Sequence, residues 1–243
     1  LVIKALDKGK AVYVEKPLAL DMQSITDIEE SIYRSENPKL FIGFNRRFSK
    51  SAQFIKQKLI NSPANSINLR FSVPPLDSDH WTNIKEIGGG RIVGEAVHGI
   101  DLACYLFDSL PQSISASAPV DKTNNMVKDN QVFLNINFAN GSHASLQYFS
   151  EANQILSKER IEVHGEGNSY ILEDFKMLRF LEGSQDRSKT FSTGKGHKES
   201  LSIFFDYVRD KSQNPFTWEE IKAVSKAAII AQDHINSGQQ HNV

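Results

Sequence analysis

The sequence of 243 residues is long enough to bury roughly three quarters of its unfolded surface, which allows one large domain or one domain plus a fragment. Apolar residues make up 40% and charged residues 23%, so the composition excludes disordered, collagen-like and coiled-coil proteins. The formal net charge is -1 without a basic cluster, and no apolar run approaches the roughly 18 residues of a membrane helix. We therefore expect neither a nucleic acid nor a membrane as a partner.

The cysteine and histidine contents limit the chemistry further. Cys104 is the single cysteine, and its apolar neighbours in LACYLF favour a buried thiol over a nucleophile. A protein that cannot form an internal disulfide is typical of the cytoplasm, where we expect this one to be located. The 7 histidines are dispersed without a recognised ligand spacing, so no metal site is expected.

The first part of the chain carries the signals of a strand–helix–strand unit. It begins with LVIKALDKGK, which is typical of the last turns of a helix that ends at Gly9. Because no cap precedes this helix, we expect the sequence to be a piece of a longer protein. The apolar runs at 11–14 and 40–44 predict parallel strands buried on both faces. Between them, Asp21 is a candidate N-cap and isoleucines recur at helical spacing. These features are typical of a doubly wound α/β protein.

After a predicted helix at 49–60, the pattern changes to that of a largely antiparallel sheet. Asn140-Gly141 supplies the pair of positive-φ residues that a tight hairpin needs. The interval 183–196 is polar and is predicted to be a loop. Alternating apolar and polar residues, or short apolar runs, predict strands at 67–73, 132–138, 144–148, 159–164, 169–175 and 177–182.

Two helices are predicted to close the chain. The second has a clear start, because Thr217 and Glu220 form a capping box. The first has an apolar stripe at helical spacing that we predict to be core, made of Leu201, Phe204, Phe205 and Val208.

The triplet Glu15-Lys16-Pro17 is the first candidate site. It directly follows the first apolar strand, and the carboxyl ends of parallel strands face the ligand crevice of an open sheet. A lysine there can polarise a hydroxyl or carbonyl as a fixed donor, and Pro17 restricts the turn, through a cis bond in one interpretation. The alternative is a solvated lysine in a turn.

The second candidate is His98, within GGGRIVGEAVHGIDLACYLF at 88–107, where a glycine-rich loop runs into a helix. The positive end of a helix dipole favours the neutral imidazole that a base accepting a hydroxyl proton needs. The alternative is a histidine that only packs the helix. Glu95 lies three residues earlier on the same helix face, where it can orient the imidazole or stabilise the helix N-terminus.

Glycine-rich loops also invite a search for the dinucleotide-binding fingerprint G-x-G-x-x-G between a strand and a helix. Gly88, Gly90 and Gly94 are one residue too widely spaced and have no preceding strand, and the other glycine pairs lack a third glycine. No G-x-S-x-G elbow is present. The sequence thus offers candidate reacting groups without the loop that holds a dinucleotide's phosphates.

Three stretches of the sequence resemble the Gfo/Idh/MocA oxidoreductase family, named after glucose–fructose oxidoreductase, inositol dehydrogenase and rhizopine catabolism proteins. These stretches are KALDKGKAVYVEKPLAL, LFIGFNRRFS and GGGRIVGEAVHGIDL, in family order along essentially the whole chain. The E-K-P triplet after a strand is the most specific element. The C-terminal helices match only in layout.

The resemblance implies an α+β fold: a large open, mostly antiparallel sheet with helices on one face, preceded by the C-terminal strand–helix–strand remnant of a Rossmann domain. Residues 1–45 would be this remnant of a dinucleotide-binding domain. Residues 46–243 would be the substrate-binding and oligomerisation domain. An open sheet with an uncovered face also predicts a homo-oligomer assembled through that face.

The resemblance further implies an enzyme that uses NAD or NADP to transfer a hydride to or from a sugar or nucleotide-sugar hydroxyl. Lys16 would hydrogen-bond the reacting hydroxyl, and His98 would act as acid or base. Because the fingerprint is missing, we expect this chain alone to be inactive. The cofactor's nicotinamide end would be lined by Glu15, Lys16 and Pro17, and the substrate crevice by Asn45, Arg46 and Arg47.

One departure concerns the family pattern Asp-x-x-x-His, whose aspartate position is Gly94 here, with Glu95 adjacent. Glu95 is therefore the third candidate catalytic group. The stretch GGGRIVGEAVH resembles the sequences of one branch of the family. Members of that branch are joined to an alcohol-dehydrogenase-like N-terminal region and are linked to bacterial surface-polysaccharide synthesis. The lost aspartate also leaves open a non-catalytic alternative, a sugar-sensing or scaffolding protein that reuses the fold.

Overall fold

The structure of the protein, a computed structural model, describes residues 1–75, 80–81, 84–121, 126–127, 129–153, 155–192 and 194–237. Its helices are α1 Val2–Leu6, α2 Met22–Arg34, α3 Lys50–Leu59, α4 Lys85–Gly88, α5 Val97–Phe107, α6 His197–Val208 and α7 Trp218–Asn236. Asn45–Phe48 forms a 3₁₀ turn and Ile92–Ala96 a π-helical turn. Its strands are β1 Val12–Val14, β2 Leu40–Ile42, β3 Ser66–Ser72, β4 Pro111–Ser117, β5 Val120–Asp121, β6 Met126–Val127, β7 Gln131–Phe138, β8 His143–Phe149, β9 Glu159–Gly165, β10 Asn168–Glu173, β11 Met177–Glu182 and β12 Gln185–Thr190.

A small parallel sheet of β1 and β2 forms the first layer, and the two strands pair along their full length. The helix between them begins at its predicted cap, since Asp21 Oδ1 accepts a hydrogen bond from the Ser24 N–H at 2.7 Å. Ile25 and Ile28 are buried on the inner face of α2. The predicted strand–helix–strand unit is confirmed, and its helical crossover is what a parallel strand pair requires.

An open eight-stranded sheet forms the second layer, in the order β12-β11-β10-β9-β3-β8-β7-β4. Neighbouring strands are antiparallel except β3 and β8, which are parallel. One face of the sheet carries the apolar side chains, and α5 packs closely on that face. The closeness is evident at Gly99, where an added Cβ would stand 2.2 Å from Leu146 Cδ1. The predicted α+β class with a mostly antiparallel sheet is confirmed.

The hairpin of β7 and β8 forms where Asn140-Gly141 predicts it, but with a different turn. Gly141 has a φ of 86°, whereas Asn140 has no positive φ, so the expected pair of positive-φ residues is wrong. The Gly141 N–H donates to Phe138 O at 2.9 Å, and the Phe138 N–H donates to Ser142 O at 2.9 Å. A three-residue loop with one left-handed glycine therefore closes the hairpin.

The interval 183–196 contains a strand that sequence analysis predicted to be a loop. Gln185–Thr190 forms β12 at the edge of the large sheet and pairs with β11 along its length. All of its residues are exposed, so it has no hydrophobic period to detect. Charged side chains such as Arg187 and Lys189 are typical of an edge strand, where they discourage pairing with other chains.

The two C-terminal helices differ in how well the sequence predicts them. α7 begins at the predicted capping box, in which Thr217 and Glu220 satisfy each other's backbone N–H groups. α6 forms, but Leu201 and Phe205 of its predicted core stripe are exposed. Phe204 packs against aromatic rings of β1 and β2 instead. The helical period was right, but only part of the stripe faces the core.

Gly165 ends β9 at a point where the backbone passes very close to the segment before β3. A Cβ there would stand 2.2 Å from Pro63 O and 2.7 Å from Ala64 Cα, both backbone atoms. We expect Gly165→Ala to lower the free energy of unfolding by about 1–3 kcal/mol because the backbone must move. Gly194→Ala is the matched control, since nothing lies within 4 Å of its added Cβ. Urea unfolding measures both, and equal stability of the two variants would contradict the close approach.

Candidate active site

Lys16 lies just beyond β1, at the carboxyl end of the parallel pair. Its side chain is 14% exposed. Nζ donates hydrogen bonds to Gly94 O at 2.6 Å and to Glu95 Oε1 at 3.0 Å, and it lies 5.2 Å from the ring centroid of Trp81. The alternative of a solvated lysine does not describe this side chain, which is held against the π-helical turn at Ile92–Ala96.

The neighbours of Lys16 extend the candidate site across both parallel strands. The Lys16–Pro17 peptide bond is cis. Glu15 packs over Gly43, where a Cβ would stand 2.7 Å from Glu15 Oε2. The predicted triplet therefore occupies the carboxyl ends of β1 and β2, the position at which open parallel sheets bind ligands.

Glu95 lies in the π-helical turn at Ile92–Ala96, which runs directly into α5. Its carboxylate forms an ion pair with Lys16 at 3.0 Å. Within the described ranges, no hydrogen bond joins Glu95 to His98, so the expected orientation of the imidazole by Glu95 is not what the structure contains. The physical reason is that an ammonium within hydrogen-bond distance is a stronger partner for a carboxylate than a neutral imidazole.

His98 is the second residue of α5 and is 5% exposed. Its Nδ1 is buried without a hydrogen-bond partner in the part of the chain that the structure describes. Burial, and then the charges of Arg46, Lys16 and Lys195, hold the pKa of His98 well below its usual value. The imidazole is therefore neutral as predicted, but the largest cause is burial rather than a helix dipole, since the helical segment already begins before Glu95.

Arg46 and Arg47 follow β2 in the 3₁₀ turn and are both buried. Arg46 donates two hydrogen bonds to Glu159, at 2.7 and 2.8 Å. Arg47 donates to Asp101 at 2.5 and 3.3 Å and to Glu220 at 3.3 Å. Both guanidiniums therefore bind carboxylates of the chain itself and join the turn after β2 to β9, α5 and α7. Their contact with a substrate stays a prediction.

Asn45 joins the same turn to the segment before α6. Its Nδ2 donates to Lys195 O at 2.6 Å and lies 3.4 Å from His197 Nδ1. The ammonium of Lys195 forms an ion pair with Glu159, the carboxylate that also binds Arg46. The structure thus brings Asn45 and Arg46 into one cluster, and the effect of Arg46 and Lys195 on the pKa of His98 places this cluster within electrostatic range of the imidazole.

Sequence reasoning missed three residues of this region: Trp81, Glu159 and Lys195. Glu159 lies 113 positions from Arg46 and 36 from Lys195, so no local spacing connects them. Lys195 falls in the interval predicted to be a loop. Trp81 is one of 2 tryptophans, a residue type enriched at binding surfaces, and that enrichment is the one signal that could have drawn attention to it.

Other groups in the described part of the chain carry less chemistry. Cys104 is buried, and burial raises the pKa of its thiol to about 12, so the thiol stays protonated as its neighbours predict. Among the described residues, no group of three or more histidine, cysteine, aspartate or glutamate side chains has the geometry of a metal site. None of the helices described has the length and apolarity needed to cross a membrane.

Comparison with known proteins identifies relatives of this chain. Residues 63–171 match the model of the GFO/IDH/MocA C-terminal domain. Over this range the chain is similar to the C-terminal domain of the Gfo/Idh/MocA oxidoreductases. It is 26% identical over 213 residues to an inositol 2-dehydrogenase of Rhizobium meliloti, an alignment that covers 75% of this chain and 62% of that enzyme. The chain thus spans less than two thirds of this relative's length.

Solved structures share the fold at lower sequence identity. An aldose-aldose oxidoreductase from Caulobacter crescentus superposes with a TM-score of 0.81 at 15% identity, covering 98% of this chain and 73% of that one. A UDP-N-acetylglucosamine 3-dehydrogenase from Acidithiobacillus ferrooxidans superposes with a TM-score of 0.79 at 14% identity, covering 97% and 74%. At such identities the likeness establishes the fold alone.

Glu159 makes the stability of the site depend on pH. Burial alone would raise its pKa, but Arg46 and Lys195 hold the pKa at about 2. A carboxyl whose folded pKa lies below its unfolded pKa stabilises the fold above the unfolded value and loses that effect as the pH falls. We expect the wild-type free energy of unfolding to lose on the order of 2 kcal/mol from this group between about pH 6 and about pH 3.

Glu159→Gln should lack this part of the pH dependence, whereas a substitution of the exposed Glu36, Glu36→Gln, should keep it. Urea unfolding at several pH values measures the three proteins. Parallel stability profiles of wild type and Glu159→Gln would show that the buried cluster does not hold a charged carboxylate.

Proposed function

We propose that this chain is part of an oxidoreductase that transfers a hydride between NAD or NADP and a hydroxyl of a sugar or nucleotide sugar. The observation that carries the proposal is the placement of Lys16 just beyond β1 and of a buried His98 whose ring lies 6.3 Å from that of Phe44, just beyond β2. An alcohol carbon that loses a hydride must also lose its hydroxyl proton. Such a site needs one group to hold the oxygen and another to take the proton.

Lys16 is suited to hold the oxygen. A lysine ammonium has three N–H donors, and the hydrogen bonds to Gly94 and Glu95 use two of them. Among the described residues the third donor has no partner, so it is available to a substrate hydroxyl. The ion pair with Glu95 and the ring of Trp81 limit the directions in which this donor can point.

His98 is suited to take the proton. Its pKa lies well below the usual value, first because it is buried and then because Arg46, Lys16 and Lys195 disfavour a further positive charge. A neutral imidazole has a free nitrogen lone pair that accepts a proton. Its buried Nδ1, which has no partner among the described residues, gains a hydrogen bond if the substrate supplies one.

The residues of this chain suit the nicotinamide end of a cofactor better than its phosphates. Glu15, Lys16 and Pro17 would stand at the reactive end, because they occupy the carboxyl ends of the two parallel strands. When bound, NAD or NADP supplies the hydride acceptor or donor. The phosphate-binding fingerprint does not occur in this sequence. We therefore assign 1–45 to the end of a dinucleotide-binding domain and 46–243 to the substrate domain, which the match at 63–171 supports.

The substrate class follows from relatives of this chain. One is named an inositol 2-dehydrogenase and a solved neighbour a UDP-N-acetylglucosamine 3-dehydrogenase, so polyhydroxylated rings recur among them. We propose a sugar or nucleotide sugar as the substrate. The sequence of the glycine-rich stretch supports a role in surface-polysaccharide synthesis. The buried thiol of Cys104 supports a cytoplasmic location.

We also propose that the protein forms a homo-oligomer through the uncovered face of the large sheet. Phe133 is 41% exposed although its strand, β7, is paired on both sides within the sheet. Its ring stands 5.5 Å from that of Phe149 on β8, so the two rings form an apolar pair on this face. Exposed aromatic groups of this kind are enriched where protein surfaces associate.

Replacing Lys16 tests the catalytic proposal. Lys16→Met in the complete polypeptide that carries this chain should lower kcat by about 100-fold or more, because the donor to the reacting oxygen is removed. Lys10→Met is the matched control, since Lys10 is an exposed lysine just before β1. Absorbance of the reduced nicotinamide, followed with a panel of nucleotide sugars, gives the rates.

Unchanged turnover in Lys16→Met would remove the assigned role. Tight sugar binding without hydride transfer in the wild type would favour the alternative of a non-catalytic sugar sensor, which Gly94 at the aspartate position suggests. The contact of Glu95 with Lys16 speaks for the enzyme, because a carboxylate still reaches the catalytic ammonium.

Replacing Phe133 tests the oligomer. Phe133→Glu should shift the sedimentation coefficient toward that of a monomer, because two buried charges would face each other across a symmetric interface. Tyr33→Glu on α2 is the control, since Tyr33 is an exposed aromatic residue away from the sheet. Sedimentation of the wild type as a monomer at micromolar concentration would contradict the proposed assembly.

A further inference from the structure

Arg91 is a buried arginine that pairs with no carboxylate of the described residues. It directly precedes the π-helical turn and is 2% exposed. Its Nη1 donates to Tyr148 Oη at 3.4 Å, while its Nε is buried without a partner. Arg46 and Arg47, by contrast, are buried with a carboxylate each. A guanidinium has five N–H donors, and burying its charge unpaired is costly, so Arg91 requires an explanation.

Two carboxylates lie near Arg91, but both are already bound elsewhere. Asp129 Oδ2 lies 3.5 Å from the backbone nitrogen of Arg91 and 3.4 Å from Gln232 Nε2. Glu95 is paired with Lys16. Neither forms an ion pair with the guanidinium in the described part of the chain.

Further unsatisfied polar atoms lie at the same end of the sheet. Tyr148 points to the helix-covered face of β8, and Ser150 follows it by two residues, which continues the same face. The Ser150 N–H donates to Asn130 O at 3.0 Å, which brings Asn130 alongside. Ser150 Oγ and Asn130 Oδ1 are buried without partners. Two further polar atoms near the end of β8 are therefore without partners among the described residues.

Tyr148 connects this group to the candidate active site. Burial raises the pKa of Tyr148 to about 12, with Arg91 acting to lower it and Glu95 to raise it, so both charges are within range of the phenol. Arg91 and Glu95 are four residues apart in one helical segment and therefore lie on the same side of it. Glu95 in turn contacts Lys16.

We propose that Arg91 and Tyr148 form an anion subsite beside Lys16 and Glu95, which takes the carboxylate or phosphate group of an acidic sugar. This inference rests on the proposed function, because it names the class of sugar that the same site accepts. The guanidinium donates to the anionic oxygens from Nε and its unused N–H groups, and the Tyr148 O–H donates beside it. A neutral sugar would leave the buried charge unpaired, so the subsite discriminates against it.

Binding of matched probes to this chain tests the subsite without requiring hydride transfer. Calorimetry compares D-glucuronate and D-glucose 1-phosphate with D-glucose, which separates a carboxylate, a phosphate and a neutral ring. We expect at least one acidic probe to bind about tenfold or more tightly than glucose, as charge-assisted hydrogen bonds predict. Arg91→Met should abolish this preference, and Arg91→Lys should retain part of it because the charge remains.

Two further variants keep the test decisive. Tyr148→Phe removes a donor without removing charge and should weaken acid binding alone, so it replaces Arg91→Met if circular dichroism shows that variant to be unfolded. Arg70→Met is the matched control, because Arg70 on β3 also has a buried, unpartnered Nε but bonds Ser157 with Nη2. It should leave the preference unchanged.

Equal affinity for all three probes, no binding of either acid, or an acid preference that survives in both Arg91→Met and Tyr148→Phe would overturn the subsite. An acid preference in a protein without dehydrogenase activity would refute the proposed function and leave the subsite standing. Dehydrogenase activity on neutral sugars without an acid preference would do the reverse.

Discussion

Two adjacent arginines at the end of β2 hold the parallel unit against the large sheet, and the candidate site depends on them. Arg46 binds Glu159 at the start of β9, and Arg47 binds Asp101 within α5. All four groups are buried, so loss of Glu159 or of Arg47 would leave Arg46 or Asp101 as an unpaired buried charge, at a cost of about 3–5 kcal/mol. Because β2 pairs with β1, these bonds also fix Lys16 relative to His98.

Sequence patterns predicted this fold wherever an element buries one face. β3, β7 and β8 alternate as expected, and the caps of α2 and α7 stand where Asp21 and Thr217 place them. β12 was not predicted from the sequence because every one of its side chains is exposed. Its pairing depends on the neighbouring strand rather than on its own residues. A strand without buried side chains has no hydrophobic period from which it can be predicted.

The residues of the candidate site also differ in whether the sequence alone could predict them. Lys16 and His98 stand close to local motifs, a strand end and a glycine-rich helix start, and could be singled out from the sequence. Glu159 could not, because its role comes from a bond to Arg46 across 113 positions. The structure further separates paired from unpaired buried charge: Arg46 is satisfied within the chain, whereas His98 Nδ1 and Arg91 Nε are not. Unsatisfied buried polar atoms are costly, so each of these two positions requires an explanation.

The π-helical turn at Ile92–Ala96 changes how this chain must be aligned with other proteins. A π turn holds one more residue between its hydrogen-bonded groups than an α turn does, so side chains beyond it are displaced by one position around the helix axis. Letter-by-letter alignment assigns Gly94 to the position of an acidic residue and suggests a defective enzyme. In space, Glu95 presents its carboxylate to Lys16. Counting residues along the chain therefore does not describe where an acidic side chain of this turn lies relative to Lys16.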